Sequence, residues 1–317
     1  MPRLFLGIDG GQSSTTALIA DETGRVLGMG RGGPCNHVGA EGGREKFLLA
    51  IRASVSQACR EAGCDSAEAS FEAACLGFSG GPADKEAMVK QLIRAHRLIV
   101  TTDAFIALSG ATGGEAGIVV IAGTGSIALG RNASGKTARA GGWGYVFGDE
   151  GAAFDLVRQA LRAALRFEEG WGPPTRLHTL LLGETGACSA GELLHRFYTA
   201  DYPRDRIAAL APLVDRAAEE NDAVACALLD KAGQDLATLA SAVRRQLFGP
   251  GEMALVAYLG GAFRSDRLRE RFRMLVELEE GNRVVAPRFG PAAGALIEAW
   301  RAAGLRPSLS GLPPSEK

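Results

Sequence analysis

The chain alternates short apolar runs with tight turns in a pattern that occurs twice. Residues 4–8 and 118–122 are apolar runs long enough for buried strands, and each ends at a turn rich in glycine and hydroxyl side chains. A second apolar stretch follows each turn, at residues 16–20 and 127–129. Strands joined in sequence by tight turns are typical of an antiparallel meander. The pattern therefore predicts two similar β-meanders in one chain.

The other periodicities extend each meander into a larger α/β unit. The predicted strands are 3–8, 15–20, 25–28, 73–78, 98–100, 117–122, 126–130, 136–140 and 255–259. The predicted helices are 42–62, 84–96, 104–109, 152–167, 205–248 with a break near Asn221, 266–276 and 292–303. The order β-β-β-α-β-α-β thus occurs twice, and helical insertions enlarge the second copy. The tail from Pro307 to Lys317 is predicted to be frayed.

Both glycine-rich turns have the composition of an anion-binding loop. Glycine lets the backbone approach a ligand, and successive N–H groups of such a turn form a nest for an anion. We call residues 10–15 nest 1 and residues 123–126 nest 2. Two nests on two hairpins suggest two lobes that hold one polyphosphate. Asp9, at the end of the first strand, would face the charge of a bound cation.

Composition indicates an ordinary globular protein and argues against several partners. The 317 residues are 46% hydrophobic and 22% charged, which suggests two domains with good cores. The net charge of −1 gives no electrostatic basis for binding nucleic acid or an anionic membrane. The six cysteines form no CxxC pair and favour reduced thiols in a cytoplasmic protein. We find no signal-peptide pattern, no run of transmembrane length and no histidine spacing typical of zinc.

Three glycine motifs match well-known formulas but lack the required context. Residues 130–137 match the P-loop formula, yet the glycine-rich stretch that follows cannot form the helix that a P-loop needs. We therefore predict a hairpin turn there. Residues 28–33 match GxGxxG and residues 123–128 match its GxGxxA variant. Neither lies in a βαβ unit, so we do not interpret them as NAD-binding motifs.

Two polar residues at loops and strand ends have both a chemical and a plain structural interpretation. Asp103 follows a predicted strand and precedes a helix, where it is well placed to take a proton from a substrate hydroxyl. It is equally well placed to be the N-cap of that helix. Asn36 lies in a loop and can both donate to and accept from the hydroxyls of a sugar. An asparagine that satisfies only its own backbone is the plainer alternative.

Three further glycine-rich segments are candidates for ligand contact. Residues 141–144 and 148–151 combine five glycines with Trp143, Asp149 and Glu150. A flexible connector seldom carries a tryptophan, which favours a ligand loop over a connector whose acids face a helix N-terminus. Residues 260–261 follow a predicted buried strand and would let a purine or ribose approach the backbone. A simple tight turn explains the same pair nearly as well.

In order and spacing, these motifs resemble the sugar kinases of the actin-like ATPase superfamily. The chain is most similar to the N-acetylglucosamine kinase group of the BadF/BadG/BcrA/BcrD ATPase-type family, from about residue 4 to 300. The motifs that carry the resemblance are Asp9-Gly10-Gly11 with Ser13 and Thr15, Thr102-Asp103-Ala104, Ala122-Gly123-Thr124-Gly125-Ser126, Gly141-Gly142-Trp143-Gly144, Gly148-Asp149-Glu150-Gly151 and Gly260-Gly261.

The resemblance implies an α/β fold of two ribonuclease-H-like lobes with a central cleft, each lobe a five-stranded mixed sheet with helices. The N-terminal lobe would be 1–110 with the helix at about 292–304, and the C-terminal lobe 111–290. The implied activity is ATP-dependent phosphorylation of the 6-hydroxyl of N-acetylglucosamine with Mg²⁺. Relatives of this kind are often dimers, so a homodimer is expected.

The resemblance also implies roles for individual residues. Asp103 would be the catalytic base and Asp9 would help to hold Mg²⁺. The nucleotide-binding residues would be Gly10, Gly11, Ser13, Thr15, Gly123, Thr124, Gly125, Gly260 and Gly261. The sugar-binding residues would be Asn36, Thr124, Gly142, Trp143 and Asp149. Gln12 and Ser13 depart from the Gly and Thr that are common in the family, and Ser13 keeps the hydroxyl.

Three alternatives stay open. One is a kinase for glucosamine or another amino sugar, and one is a sensor that binds sugar without catalysis. The third is an ATP-driven activator of a dehydratase, which shares the fold and binds an iron–sulfur cluster at its dimer interface. Such an activator needs cysteines just after nest 2, and residues 126–151 contain none.

Overall fold

The fold consists of two compact units of closely similar topology. The structure is a computed structural model that describes residues 2–35, 38–39 and 42–316. Unit 1 comprises Met1–Ala116 and Ala286–Lys317, and unit 2 comprises Gly117–Val285. Asn36, a predicted sugar ligand, lies outside the described residues. In the part of the chain that is described, no helix is long and apolar enough to cross a membrane.

Unit 1 is built on a five-stranded mixed sheet. Its strands are β1 (Leu4–Gly10), β2 (Thr15–Asp21), β3 (Val26–Gly32), β4 (Phe71–Phe78) and β5 (Ala95–Thr102). Its helices are α1 (Gly43–Glu61), α2 (Glu86–Leu92), α3 (Asp103–Thr112) and α11 (Pro291–Ala302). The order in the sheet is β3-β2-β1-β4-β5, with the first three strands antiparallel and β1, β4 and β5 parallel.

Alternating apolar residues give the unit 1 sheet two buried faces. Leu6 and Ile8 point into the core on the α1 side, whereas Phe5 and Leu18 point into the core on the α11 side. A Cβ at Gly30 would lie 1.8 Å from the carbonyl oxygen of Ser54, so the glycines of β3 are required by the close approach of α1. The GxGxxG match at 28–33 is therefore explained by helix–sheet packing within unit 1.

Unit 2 repeats this topology with a larger set of helices. Its strands are β6 (Gly117–Ala122), β7 (Ser126–Arg131), β8 (Thr137–Gly141), β9 (Ala254–Leu259) and β10 (Asn282–Val285). Its helices are α4 (Ala153–Glu168), α5 (Arg176–Thr185), α6 (Ala190–Phe197), α7 (Arg204–Ala208), α8 (Pro212–Glu219), α9 (Ala223–Leu247) and α10 (Asp266–Glu277). The sheet order β8-β7-β6-β9-β10 mirrors that of unit 1, with the same parallel and antiparallel pairs. The predicted fold class, α/β with two five-stranded mixed sheets, is confirmed.

Two local predictions are wrong, and three elements were missed. The helix predicted at 84–96 ends at Leu92, and residues 95–102 form β5. The first residues of this strand include the exposed His96 and Arg97, which are as typical of a helix surface as of a strand. Helices α5 and α6 and strand β10 were not predicted. The tail is not frayed at residues 307–316. Its Ser310 pairs with the turn between β2 and β3, accepting from the N–H of Val26 and donating to the oxygen of Gly24 at 3.0 Å each.

The hairpin predicted at the P-loop formula is confirmed. Residues 132–136 form the turn between β7 and β8, in which the backbone N–H of Asn132 donates to the oxygen of Lys136 at 3.0 Å. The ammonium of Lys136 donates to the main-chain oxygen of Gln246 at 3.3 Å. No helix begins after this turn, so its N–H groups lack the helix N-terminus that a P-loop requires.

Candidate functional site

Nest 1 connects β1 to β2 at one edge of the unit 1 sheet. The N–H of Gly11 donates to the oxygen of Ser14 at 2.9 Å and closes the turn, while Ser13 is exposed to solvent. A Cβ at Gly10 would lie 2.4 Å from the ring of the buried Phe78, so only glycine fits there. The exposed part of nest 1 thus consists of backbone and hydroxyl groups together with the amide of Gln12.

Thr15 has a different environment from the rest of nest 1. Its side chain is fully buried, and its hydroxyl donates to the oxygen of Gly33 at 2.7 Å and contacts the sulfur of Cys35 at 2.8 Å. The hydroxyl is therefore engaged within unit 1 and fixes the loop that leads to Asn36. Thr15 was predicted to bind nucleotide, and its described contacts are those of a residue that supports this loop.

Asp9 and Asp103 come from neighbouring positions at the carboxyl edge of the sheet. In the parallel strands, Asp9 is in register with Gly77 of β4, which is in register with Thr101 of β5. Strands lie about 4.8 Å apart, so Asp9 and Thr101 are separated by about 10 Å across the sheet. Asp103 follows Thr101 by two residues at the start of α3. Sheet topology therefore brings both carboxylates to one edge.

Asp103 is not the N-cap of α3. Thr102 has that role, because its hydroxyl accepts from the N–H of Phe105 at 3.2 Å. Asp103 is the first residue of the helix and is partly exposed, with one carboxylate oxygen accepting from the N–H of Ala104 at 2.8 Å. The capping interpretation of Asp103 is thus wrong, and its second oxygen has no hydrogen-bond partner among the described residues. A carboxylate in this position can accept a proton.

The environment of Asp9 favours a cation. Burial, followed by the negative charges of Glu316 and Asp103, raises the pKa of Asp9 to about 7. Carboxylate oxygens are the protein ligands that Mg²⁺ takes, usually one or two together with phosphate oxygens. No group of three or more His, Cys, Asp or Glu that could hold a metal occurs within residues 2–35, 38–39 and 42–316. Asp9 therefore fits a Mg²⁺ held jointly with phosphates rather than by a protein cage.

Glu316 is a nearby carboxylate that sequence reasoning missed. It is buried, and it accepts from the N–H of Ala293 at 3.1 Å in the first turn of α11. Burial raises its pKa, although the N–H groups of Ala293 and Ala292 act in the opposite direction. A carboxylate at a helix N-terminus is favourable. The prediction of a frayed tail excluded it from consideration, and its sequence offers no other signal.

Nest 2 connects β6 to β7, and the side chain of Asp149 packs against it. The N–H of Gly123 donates to the oxygen of Gly125 at 3.0 Å. Asp149 is 5% exposed, and one of its oxygens accepts from the N–H of Ser126 at 3.1 Å. A Cβ at Gly125 would lie 2.7 Å from this carboxylate. The Thr124 side chain, in contrast, is partly exposed at the tip of the turn.

Arg204 completes the support of nest 2 and was not predicted. Its guanidinium donates to the second oxygen of Asp149 at 3.0 Å and lies over the ring of Tyr145, 4.5 Å from the centroid. Asp149 was predicted to bind sugar, but both of its oxygens are occupied inside unit 2. A single arginine 55 residues beyond Asp149 carries no motif, so sequence alone gave no signal for this ion pair.

Gly142 and Trp143 lie in a loop with strongly exposed aromatic residues. The N–H of Gly142 donates to the oxygen of Ser126 at 3.0 Å, which ties the loop to nest 2. Trp143 is 64% exposed, and the guanidinium of Arg139 lies 5.2 Å from its ring centroid. Phe147 in the same loop is 82% exposed. The loop therefore offers apolar surface for contact next to nest 2.

One cavity of unit 2 lies next to nest 2. Its volume is about 1010 Å³. Ala153, whose N–H donates to the oxygen of Gly123 at 2.9 Å, lies in its wall together with Gly261. Gly260 packs against nest 2, because a Cβ there would lie 2.3 Å from the oxygen of Ala122. The cavity wall and the glycine pair 260–261 thus adjoin nest 2.

One carboxylate in this cavity is partly withdrawn from water. Asp215 of α8 lies in the wall, where burial and the charges of Glu219 and Asp266 raise its pKa, although a hydrogen bond from Ser265 lowers it. The other wall residues include several alanines. The cavity therefore combines small apolar groups with several charged ones, among them Arg216, Arg264 and Arg267, which could contact the polar groups of a small organic ligand.

Comparison with known proteins agrees with this description. The chain is 30% identical over 302 residues to the N-acetylmuramic acid/N-acetylglucosamine kinase of Clostridium acetobutylicum, which covers 93% of this chain and 97% of the relative. It is 29% identical over 272 residues to the N-acetyl-D-glucosamine kinase of Dictyostelium discoideum, covering 81% and 85% of the two chains.

A solved structure and a family model extend these similarities. A crystal structure from Chromobacterium violaceum, assigned as an N-acetylglucosamine kinase, is 32% identical with a TM-score of 0.77, covering 93% of this chain and 98% of that one. The model of the BadF/BadG/BcrA/BcrD ATPase family matches residues 6–299. These matches confirm the predicted family, fold and enzyme class, that of ATP-dependent kinases. The chain belongs to the BadF/BadG/BcrA/BcrD ATPase family.

Proposed function

We propose that the chain is an ATP-dependent amino-sugar kinase that phosphorylates the 6-hydroxyl of N-acetylglucosamine. The observation that carries the proposal is Asp103, a partly exposed carboxylate that does not cap its helix and lies at the same sheet edge as Asp9. The names of the Clostridium and Dictyostelium relatives support the sugar. Units 1 and 2 would be the two lobes expected at 1–110 with 292–304 and at 111–290.

Asp103 acts as the base in this proposal. Its carboxylate accepts the proton of the 6-hydroxyl as that oxygen bonds to the γ-phosphorus, and the bond from the γ-phosphorus to the β–γ bridging oxygen breaks to release ADP. Phosphoryl transfer requires mainly positioning and charge neutralisation from a protein. One carboxylate that orients the hydroxyl and takes its proton late is therefore sufficient.

The two nests would hold the phosphates of ATP. In nest 1 the ligands are the backbone of Gly10 and Gly11 and the hydroxyl of Ser13, and in nest 2 they are the residues 123–125. Asp9 would hold Mg²⁺, which neutralises phosphate charge when bound. The carboxylates around Asp9 that raise its pKa support this assignment, because their negative potential attracts a divalent cation. Thr15 would act indirectly, by fixing the loop before Asn36.

The cavity of unit 2 would accept the nucleoside of ATP. Three features support this: its volume of about 1010 Å³, the hydrogen bond between its wall residue Ala153 and Gly123 of nest 2, and the glycine pair 260–261 in or beside its wall. The pair lets the backbone approach a flat base or a ribose. The wall also carries charged side chains, among them Arg216, Arg264 and Arg267, so the nucleoside would be held by polar contacts as well as by shape.

The sugar would contact Asn36, Thr124, Gly142 and Trp143. The exposed ring of Trp143 offers an apolar surface for an acetyl methyl group, and the other groups suit hydroxyls and an amide. Asp149 was the fifth predicted ligand. Because its carboxylate is buried and paired with Arg204, we propose that it acts on the sugar site only through nest 2.

The test is kcat/KM with saturating Mg-ATP over a panel of N-acetylglucosamine, glucosamine, glucose and N-acetylmuramic acid, the last because the name of the Clostridium relative includes it. N-acetylglucosamine should be preferred over glucosamine, since a buried ammonium would need a carboxylate that is free to pair with it. A tenfold or greater preference for glucosamine would reject this sugar while leaving the kinase proposal intact. Turnover of none of the four would reject the kinase proposal itself.

A homodimer and a cytoplasmic location belong to the same proposal. The exposed aromatic loop at 143–147 would suit a partner surface as well as a ligand. Light scattering coupled to size exclusion gives the mass directly. A monomer at micromolar concentration would remove the dimer from the proposal without affecting the chemistry.

A further inference from the structure

Unit 1 contains a cavity of about 330 Å³ away from Asp9 and Asp103. One wall is the turn that ends α3, another is the segment before α11, the floor is the last part of α11, and the start of the tail closes the remaining side. The proposed kinase mechanism makes no use of it. Its lining residues are Gly113, Gly114, Glu115, Arg288, Phe289, Ile297, Trp300, Arg301, Leu305, Arg306, Pro307, Ser308 and Leu309.

The cavity is lined by three arginines and one glutamate. Arg301 is anchored, because its guanidinium donates to the main-chain oxygen of Gly114 at 3.0 Å and pairs with Glu298 at 3.3 Å. Arg288 and Arg306 are exposed, and neither guanidinium has a hydrogen bond or an ion pair within the described ranges. The cavity therefore has an excess of positive charge and two guanidinium groups free to bind a ligand.

Both the backbone and the side chain of Arg288 contact the end of α3 and the turn that follows it. Its backbone N–H donates to the oxygen of Ala111 at 3.1 Å. Its side chain lies over Gly113, where a Cβ would be 3.0 Å from Cδ and Nη1 of the arginine. Gly113 has a φ of 65°, which favours glycine in any case. The guanidinium thus lies beside Gly113 in the wall of the cavity.

We propose that this cavity binds a small molecule that carries a phosphate group. Arg288 and Arg306 would hold the phosphate, since a planar guanidinium binds phosphate oxygens in pairs. Phe289, Ile297 and Leu305 would contact the uncharged part of the molecule. A volume of about 330 Å³ lies at the lower end of sites for small ligands, which suits a compact metabolite rather than a nucleotide.

The site adjoins both segments of unit 1 that continue into unit 2. Glu115 is one residue before Ala116, the end of the first segment, and Arg288 is two residues after Ala286, the start of the second. A ligand held by Arg288 over Gly113 would tie these two segments to each other. Binding should therefore slow their amide hydrogen exchange, which reports local opening.

Calorimetric titration of the full chain with inorganic phosphate and with N-acetylglucosamine 6-phosphate tests the proposal. The active site is first filled with a non-hydrolysable ATP analogue and N-acetylglucosamine. The double variant Arg288→Gln/Arg306→Gln should weaken binding by at least about tenfold, through loss of two charge-assisted contacts. Arg94→Gln changes an exposed arginine of unit 1 outside the cavity and should bind as the wild type does.

The two probes distinguish the source of the phosphate group. Equal affinity for both would identify a site for free phosphate, and tighter binding of the sugar phosphate would identify a site for a phosphorylated metabolite. Exchange of residues 110–116 and 286–290 should slow with either probe in the wild type and not in the double variant. Arg306→Gln alone, at an exposed tail position, serves if the double variant unfolds. Absence of binding by both probes, or unchanged binding in the variants, would overturn the proposal.

Discussion

Nest 1 and nest 2 lie on hairpins of the same topology but differ in the side chains around them. Nest 1 has exposed polar residues and three carboxylates nearby, Asp9, Asp103 and Glu316, two of which raise the pKa of the third. Nest 2 is supported by the carboxylate of Asp149, which is buried and paired with Arg204. In the proposed kinase, the backbone of a duplicated hairpin would supply anion binding twice, and the side chains around it would decide where catalysis occurs.

The cavities of the two units also differ, in their size and in their distance from the nest. The cavity of about 1010 Å³ in unit 2 adjoins nest 2 and has room for a nucleoside, whereas the cavity of about 330 Å³ in unit 1 is away from nest 1. In the proposed kinase, unit 1 therefore provides the base and the metal ligand, and unit 2 provides most of the nucleotide site. Each of the following variants removes one element of this division of roles.

Asp103→Asn should have the largest effect. The amide cannot take the proton of the sugar hydroxyl, and loss of a general base typically costs about 10²–10⁴ in rate. The fold should be unaffected, because Thr102 rather than Asp103 caps α3. Steady-state kinetics and titrations of ATP and sugar measure the two consequences separately. A variant that keeps more than about a third of wild-type kcat would remove Asp103 from the role of base and erase the contrast between the units.

Gly125→Ala and Gly123→Ala form a matched pair in nest 2. A Cβ at Gly125 would lie 2.7 Å from the Asp149 carboxylate, whereas a Cβ at Gly123 meets nothing within 4 Å. Asp149 cannot move aside easily, since Ser126 and Arg204 hold both of its oxygens. Overpacking of this kind costs about 1–3 kcal/mol of stability.

The pair separates folding from ligand binding. Gly125→Ala should lower the Tm and raise the KM for ATP, while Gly123→Ala should unfold like the wild type and change only ATP binding. Thermal unfolding of the two variants, with and without nucleotide, gives the comparison. Equal unfolding of both variants would mean that Asp149 does not support nest 2 as described.

These variants also show how far the sequence could predict the molecule. Strands β1, β2, β6 and β7 could be predicted from short apolar runs next to glycine-rich turns, because a short run of this kind rarely forms anything but a buried strand. Helices α5 and α6 did not, since they are short and are set by single caps, Thr175 and Ser189, which also occur in ordinary loops. A local sequence pattern therefore predicts a helix or strand only where it is much more common in that element than in loops.

The candidate site divides in the same way. The glycines of both nests and Asp9, which precedes nest 1, could be found because the motifs that contain them are contiguous in sequence. The Asp149–Arg204 pair and the position of Glu316 beside Asp9 could not, since each depends on packing between residues far apart in the chain. Thr15 is a further example. Its motif predicted a hydroxyl that contacts the nucleotide, whereas in the structure this hydroxyl donates to the oxygen of Gly33.

Arg204→Met should have a smaller effect, confined to unit 2. The variant keeps the length of the side chain but leaves one oxygen of the buried Asp149 without a partner. Because the guanidinium is partly exposed, we expect a loss of about 1 kcal/mol in the free energy of unfolding. Arg162→Met, at an exposed position of α4, is the control. Faster amide exchange at residues 123–126 in Arg204→Met alone would confirm the support of nest 2, and unchanged exchange would contradict it.

Lys136→Ala should have the smallest effect, although it changes the residue that a P-loop would need most. Lys136 lies in the turn between β7 and β8, the counterpart in unit 2 of the β2–β3 turn at Glu22-Thr23-Gly24 in unit 1. Its ammonium donates to the main-chain oxygen of Gln246 at an exposed position, and such a contact contributes little to stability. The kcat and the KM for ATP should therefore equal those of the wild type within about twofold, less than a tenth of the effect of losing a phosphate ligand. A loss of several hundredfold would instead mean that this turn, and not nest 2, binds the phosphates, and the comparison of the two nests would then have to be abandoned.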